Sequence, residues 1–203
     1  MAPLLNSSEE RDRSASFKAE AIVGIGWGAL AAAIFGVVWL WWGLGEAHAF
    51  IGLVGPVFGA AAILLWIGSI YTIWKGRTIQ KLHPRIPAVE RRASRNSFLL
   101  VVLLEFVGIV LVAVLAGRLH RPYLGTDWCA LIVGLHLLPL AKIFRAPYMG
   151  VFGILITIWC VLSWVLFRPH ALVISVAVGT GILLCALSAV SQAIARGITH
   201  SLL

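Results

Sequence analysis

The stretch FLLVVLLEFVGIVLVAVLA, residues 98–116, decides the fold of this chain. Its nineteen residues hold a single charge, Glu105, and fifteen Leu, Ile, Val or Phe. About 20 mostly apolar residues suffice for a helix to cross a bilayer. A charge at the centre of such a helix costs about 2.5–3.5 kcal/mol on the insertion scale, while the apolar residues return about 4–9 kcal/mol. The segment therefore inserts, and its carboxyl must face protein or water and not lipid.

Five further runs have the same character, at residues 21–44, 49–74, 126–144, 148–167 and 171–194. The whole chain agrees with them: 203 residues, 61% hydrophobic, 12% charged, mean hydropathy +0.97. Soluble domains carry about 25% charged residues, and one of this size has too little interior to hide so much apolar surface. Lipid must cover the remainder. The length suits one compact bundle and leaves no room for a separate soluble domain. The expectation is an all-α, polytopic bundle of six spanning helices. Very short links, such as residues 45–48 and 168–170, force neighbouring helices to run antiparallel. The longer link, residues 75–97, reads as a basic polar loop containing Pro84 and Pro87.

Orientation follows from the basic residues. With the N-terminus inside, 13 Lys and Arg fall in the cytoplasm and three, Arg118, Arg121 and Arg168, fall outside. Cytoplasmic excess of Lys and Arg is the positive-inside pattern, so the bundle is expected N-in and C-in, with residues 1–20 and 195–203 as cytoplasmic tails. Aromatics point the same way. Trp39, Trp41, Trp42, Trp128 and Trp164 lie near the outer boundary, and Tyr71, Trp74 and Tyr148 near the inner one, as amphipathic rings at headgroup level should. The first apolar run is too long for the core of a cleavable signal peptide.

The formal charge of +8 lies between apolar spans and not on a soluble face. It is read as topology signal and contact with anionic lipid, not as a nucleic-acid surface. Arg91, Arg92 and Arg95, just before the third span, are the expected headgroup contacts. Cys129, Cys160 and Cys185 stand singly in separate spans, without disulfide or metal-ligand spacing. No protease, nucleotide-binding or haem motif is present, so no cofactor or metal is expected and an enzyme is the less favoured class.

Glu105 has an obvious candidate partner. The third and fourth spans form an antiparallel hairpin, in which Glu105 lies seven residues from Phe98 and His136 eight residues from Phe144. At about 1.5 Å per residue both lie about 10–12 Å deep. Gly108, one turn beyond Glu105, leaves room for a neighbouring helix. Pro139, one turn beyond His136, removes a backbone donor and frees a carbonyl. Intramembrane Glu and His chains serve proton relays in transporters, and freed carbonyls coordinate ions in broken transporter helices. The plainer reading is a hydrogen bond that locks two helices, worth about 0.6 kcal/mol on average.

Outside, Arg118, His120, Arg121 and Asp127 gather around one loop and form a candidate contact for an anionic ligand. Asp127, following Thr126, reads also as a cap at a helix N-terminus. Gly24 and Gly28 make a small-residue face suited to close helix approach or to a homo-oligomer contact, as do Gly55 with Gly59 and Gly179 with Gly181. Thr157, Ser163, Ser175, Thr180, Ser188 and Ser191 can line a polar path or bond their own backbone.

The run GLHLLPLAKIFR, residues 134–145, resembles a segment of small uncharacterised bacterial polytopic integral membrane proteins, where a G-x-H-x-x-P-L-A stretch sits in a late transmembrane helix. The resemblance implies a bacterial inner membrane and treats His136 and Pro139 as a unit. It brings no activity with it. Two functional expectations follow: a small-solute or ion transporter, proton-linked through Glu105 and His136, or a non-catalytic accessory protein whose polar pair only stabilises the bundle.

Overall fold

A computed structural model describes residues 7–47, 51–82 and 88–202. These form six helices and no strand: α1 (Ser7–Glu46), α2 (Ile51–Gln80), α3 (Ala88–Arg118), α4 (Pro122–Ile143), α5 (Pro147–Leu166) and α6 (Pro169–His200). Each contains a stretch long and apolar enough to cross a membrane. The fold is that of a multi-pass membrane protein.

Several helices overrun the apolar spans read from the sequence. α1 begins within the polar stretch 1–20, α2 continues to Gln80, and α3 starts at Ala88. Much of the stretch 75–97 is thus helical. A helix satisfies its own backbone, so it need not stop where the apolar run stops. Pro84 and Pro87, expected in the polar loop, lie outside the described residues.

Two tight turns explain the antiparallel hairpins. At the end of α3, His120 N–H donates to Gly117 O (3.1 Å) and Arg121 N–H donates to Ala116 O (3.1 Å). At the end of α4, Arg145 N–H donates to Lys142 O (3.3 Å) and Ala146 N–H donates to Ala141 O (2.9 Å). Both are Schellman motifs, whose turning residue takes a left-handed conformation. His120 (φ 53°) and Arg145 (φ 52°) occupy it without being glycine. Proline then opens α4, α5 and α6 at Pro122, Pro147 and Pro169. The first helical residue needs no N–H donor and gains from a preset φ.

α6 is the hub. It packs against α1, α2, α4 and α5, while α1 also packs on α2 and α4 on α5. The main core joins Ala32 and Trp39 of α1 to Ala130, Leu137 and Leu140 of α4, Ile156 and Cys160 of α5, and Val176, Leu184 and Leu187 of α6. A smaller cluster of Ala19, Ile22, Ile79 and Ala195 ties α1, α2 and α6 at their other end. In lipid, helices associate through close packing, because apolar lipid tails leave no hydrophobic driving force between them. Gly36 and Gly181 supply that closeness: a Cβ on Gly36 would stand 3.0 Å from Gly181 O, and one on Gly181 would stand 2.8 Å from Gly36 O. By contrast, Gly24, Gly28 and Gly59 face open space. Trp39 also departs from the aromatic-belt reading, since it is buried in the core and stacks on the exposed Trp42 at 5.6 Å.

α3 is the outlier. It is the most apolar span, Ala116 is the one buried residue of its spanning stretch, and it packs on α4 alone among the described helices.

Candidate functional site

The α3–α4 hairpin holds an even antiparallel register. Ala116 meets Gly125, Gly108 meets Ile132, and Phe98 meets Phe144 with ring centroids 5.7 Å apart. Glu105 and His136 fall between these contacts. Glu105 Oε1 lies 3.3 Å from His136 Nδ1, and the absence of a side chain at Gly108 lets Ile132 approach within van der Waals contact one turn away. The matched depths of the two residues become an actual contact because both lie on the shared seam.

The pair is partly accessible. The side chains of His136 and Glu105 are 17% and 20% exposed. The approach has the distance of an ion pair, but it is not aligned as a hydrogen bond, since His136 Nδ1 has no hydrogen-bond partner among the described residues. With one proton shared, carboxyl and imidazole have no net charge, whether written as acid and base or as an ion pair. Adding or removing a proton leaves a net charge in a medium that penalises it. The arrangement can therefore hold one proton. Pro139 stands at i+3 from His136, exposed on α4. Lacking an N–H, it cannot donate the intrahelical hydrogen bond to the Leu135 carbonyl.

The outer-loop residues separate. Arg118, His120 and Arg121 are exposed at the α3–α4 turn. Asp127 does not share their surface as a cap: α4 begins at Pro122, so Asp127 lies more than a turn inside the helix. Its Oδ1 is buried without a hydrogen-bond partner among the described residues. The carboxyl lies within electrostatic reach of Cys160 on α5, whose thiol also neighbours the buried Thr180 of α6. The side chains of Arg91, Arg92 and Arg95 lie outside the described residues.

Of the two roles expected of the hydroxyls, the bond to their own backbone is seen at Thr157, and a bond between helices, which was not expected, at Ser163 and Ser175. Thr157 bonds Gly153 O of its own helix at 2.9 Å. Ser163 and Ser175 bond each other across α5 and α6 at 3.0 Å, beside a bond from Trp159 Nε1 to Ser175 O at 2.9 Å.

Sequence reading missed Gln192. Buried on α6, its Nε2 donates to Leu65 O (2.9 Å) and Ser69 Oγ (3.1 Å) of α2, and lies 3.3 Å from Ser188 Oγ. Gly68 makes room for it, because any Cβ there would overlap Gln192 Oε1. The signal was a lone amide inside an apolar span, the same kind of cue that singled out Glu105.

No group of three or more His, Cys, Asp or Glu among the described residues is placed to hold a metal ion. No protein family, curated protein or solved structure matches this chain.

Proposed function

We propose that this protein is a small-solute or ion transport protein linked to protons, with Glu105 and His136 as its titratable centre. The observation that carries the reading is their 3.3 Å contact on a helix with a single neighbour among the described helices. α6 and its four partners form the fixed body, and α3 is the element free to shift against it. A proton gained or lost at the seam changes the charge shared by α3 and α4, and so biases their docking. Pro139, with the carbonyl it frees, gives α4 a place to bend. The reading includes a bacterial inner membrane with both termini in the cytoplasm, supported by the distribution of Lys and Arg.

The test is proton flux into proteoliposomes under an imposed gradient. Glu105→Gln is expected to abolish flux while leaving helix content and monodispersity unchanged. Wild-type flux in that variant would sink the proposal. A reporter fused after Leu203 tests the orientation, and a periplasmic C-terminus would overturn it.

A second reading, an accessory protein without transport, is favoured by the tight fit of the body. A Cβ on Gly134 would stand 3.0 Å from Gly153 O, so α4 and α5 touch through backbone just beside His136. In that case wild-type liposomes show no flux, Glu105→Gln lowers stability, and a partner copurifies.

A further inference from the structure

At the end of the bundle opposite the α3–α4 turn, α2 and α6 part to leave a cleft of about 30 Å³. Two permanent cations, Lys75 and Arg196, line it together with His200 and Tyr71, and no carboxylate does. Lys75 Nζ stands 6.0 Å from the centre of the Tyr71 ring, which holds the ammonium at the mouth by attraction to the ring face. The two threonines of the lining supply no donors: Thr72 Oγ1 donates to Gly68 O and Thr199 Oγ1 to Ala195 O, each at 2.8 Å. All free donor capacity in the cleft is therefore cationic or aromatic–polar.

Lys75 and Arg196 line the cleft from two different helices, and an anion between them is attracted by both. The volume admits about two oxygen-sized occupants, which suits the non-bridging oxygens of a phosphate. Tyr71 and Trp74, both exposed beside the cleft, are placed where amphipathic rings meet lipid headgroups. The apolar face of α2 continues from there through the exposed Ile70, Ile67 and Ile63, along which an acyl chain can lie.

We propose that this cleft binds one phosphate group through Lys75, Arg196 and His200, as the phosphodiester of an anionic lipid or as free phosphate. The site is separate from Glu105 and His136, and it does not rest on the transport reading.

The experiment is native mass spectrometry of the purified full-length protein with phosphatidylglycerol, phosphatidylcholine or inorganic phosphate, alongside thermal unfolding with each. Phosphatidylglycerol is expected to form a retained adduct and to raise Tm above phosphatidylcholine. A basic residue near a membrane surface contributes about 1 kcal/mol to anionic-lipid binding. Lys75→Gln and Arg196→Gln should each weaken it about 5-fold, and the double change about 30-fold. Arg168→Gln, exposed at the other end, should leave it unchanged. Competition by millimolar inorganic phosphate would assign the site to free phosphate, and an adduct indifferent to it would assign the site to lipid. Equal retention of both lipids with no phosphate binding, or full binding by the double variant, would overturn the proposal. If the double variant misfolds, each single change is read by itself, and Lys75→Arg should preserve binding.

Discussion

Glu105 Oε1 and His136 Nδ1 stand 3.3 Å apart across the one interface that α3 makes among the described helices. A polar contact has leverage there, because no other described helix holds α3. Its energetic weight is measurable by a double-mutant cycle.

Thermal unfolding of Glu105→Gln, His136→Leu and the double variant should give a coupling of about 0.6 kcal/mol, and no more than about 1.7 kcal/mol. Additive effects would mean that proximity carries no energy. Coupling well above that range would favour the structural reading of the pair over the transport one.

How far the sequence reached this site can be judged from particular residues. Depth was legible, because each residue advances a helix by a fixed rise, and so Glu105 and His136 could be matched before any contact was known. Rotation about the helix axis was not, because all sides of a helix surrounded by lipid can be apolar. Gly24 and Gly28 have the spacing of a packing motif yet face open space, whereas Gly36 and Gly181 carry the crossing of α1 and α6. Only the partner helix decides which glycine is used. Asp127 was misplaced for a different reason: the start of α4 was set by the apolar run, although Pro122 marks it four residues earlier.

The two left-handed residues offer a simple gain. A non-glycine residue held in that region costs about 1–3 kcal/mol. Arg145→Gly and His120→Gly should each raise stability by about 1 kcal/mol, read as a higher Tm in detergent. Loss of stability in both would show that the side chains make contacts that outweigh the strain.

Gln192 and Gly68 should be strongly non-additive. Gly68→Ala drives a methyl into Gln192 Oε1, and overpacking of this kind costs about 1–3 kcal/mol. Gln192→Ala removes the bonds to Leu65 O and Ser69 Oγ, at about 1–2 kcal/mol. In the double variant the clash disappears, so it should be no less stable than Gln192→Ala alone. If the two losses simply add, the amide does not occupy the hollow at Gly68.

The register of the α3–α4 hairpin is the premise behind the Glu105–His136 site, and cross-linking can test it independently. A Cβ on Gly125 would stand 3.3 Å from that of Ala116, just below the 3.5–4.5 Å span of disulfides and within reach of a small adjustment. In a chain whose Cys129, Cys160 and Cys185 are replaced by Ala, Ala116→Cys with Gly125→Cys should therefore oxidise readily in membranes. Val114→Cys with Gly125→Cys should not, because Val114 is exposed, away from α4. One residue of slip turns α3 by about 100° and would carry Glu105 out of the seam, away from His136. A cross-link through Val114 in place of Ala116 would thus remove the contact on which both functional readings depend.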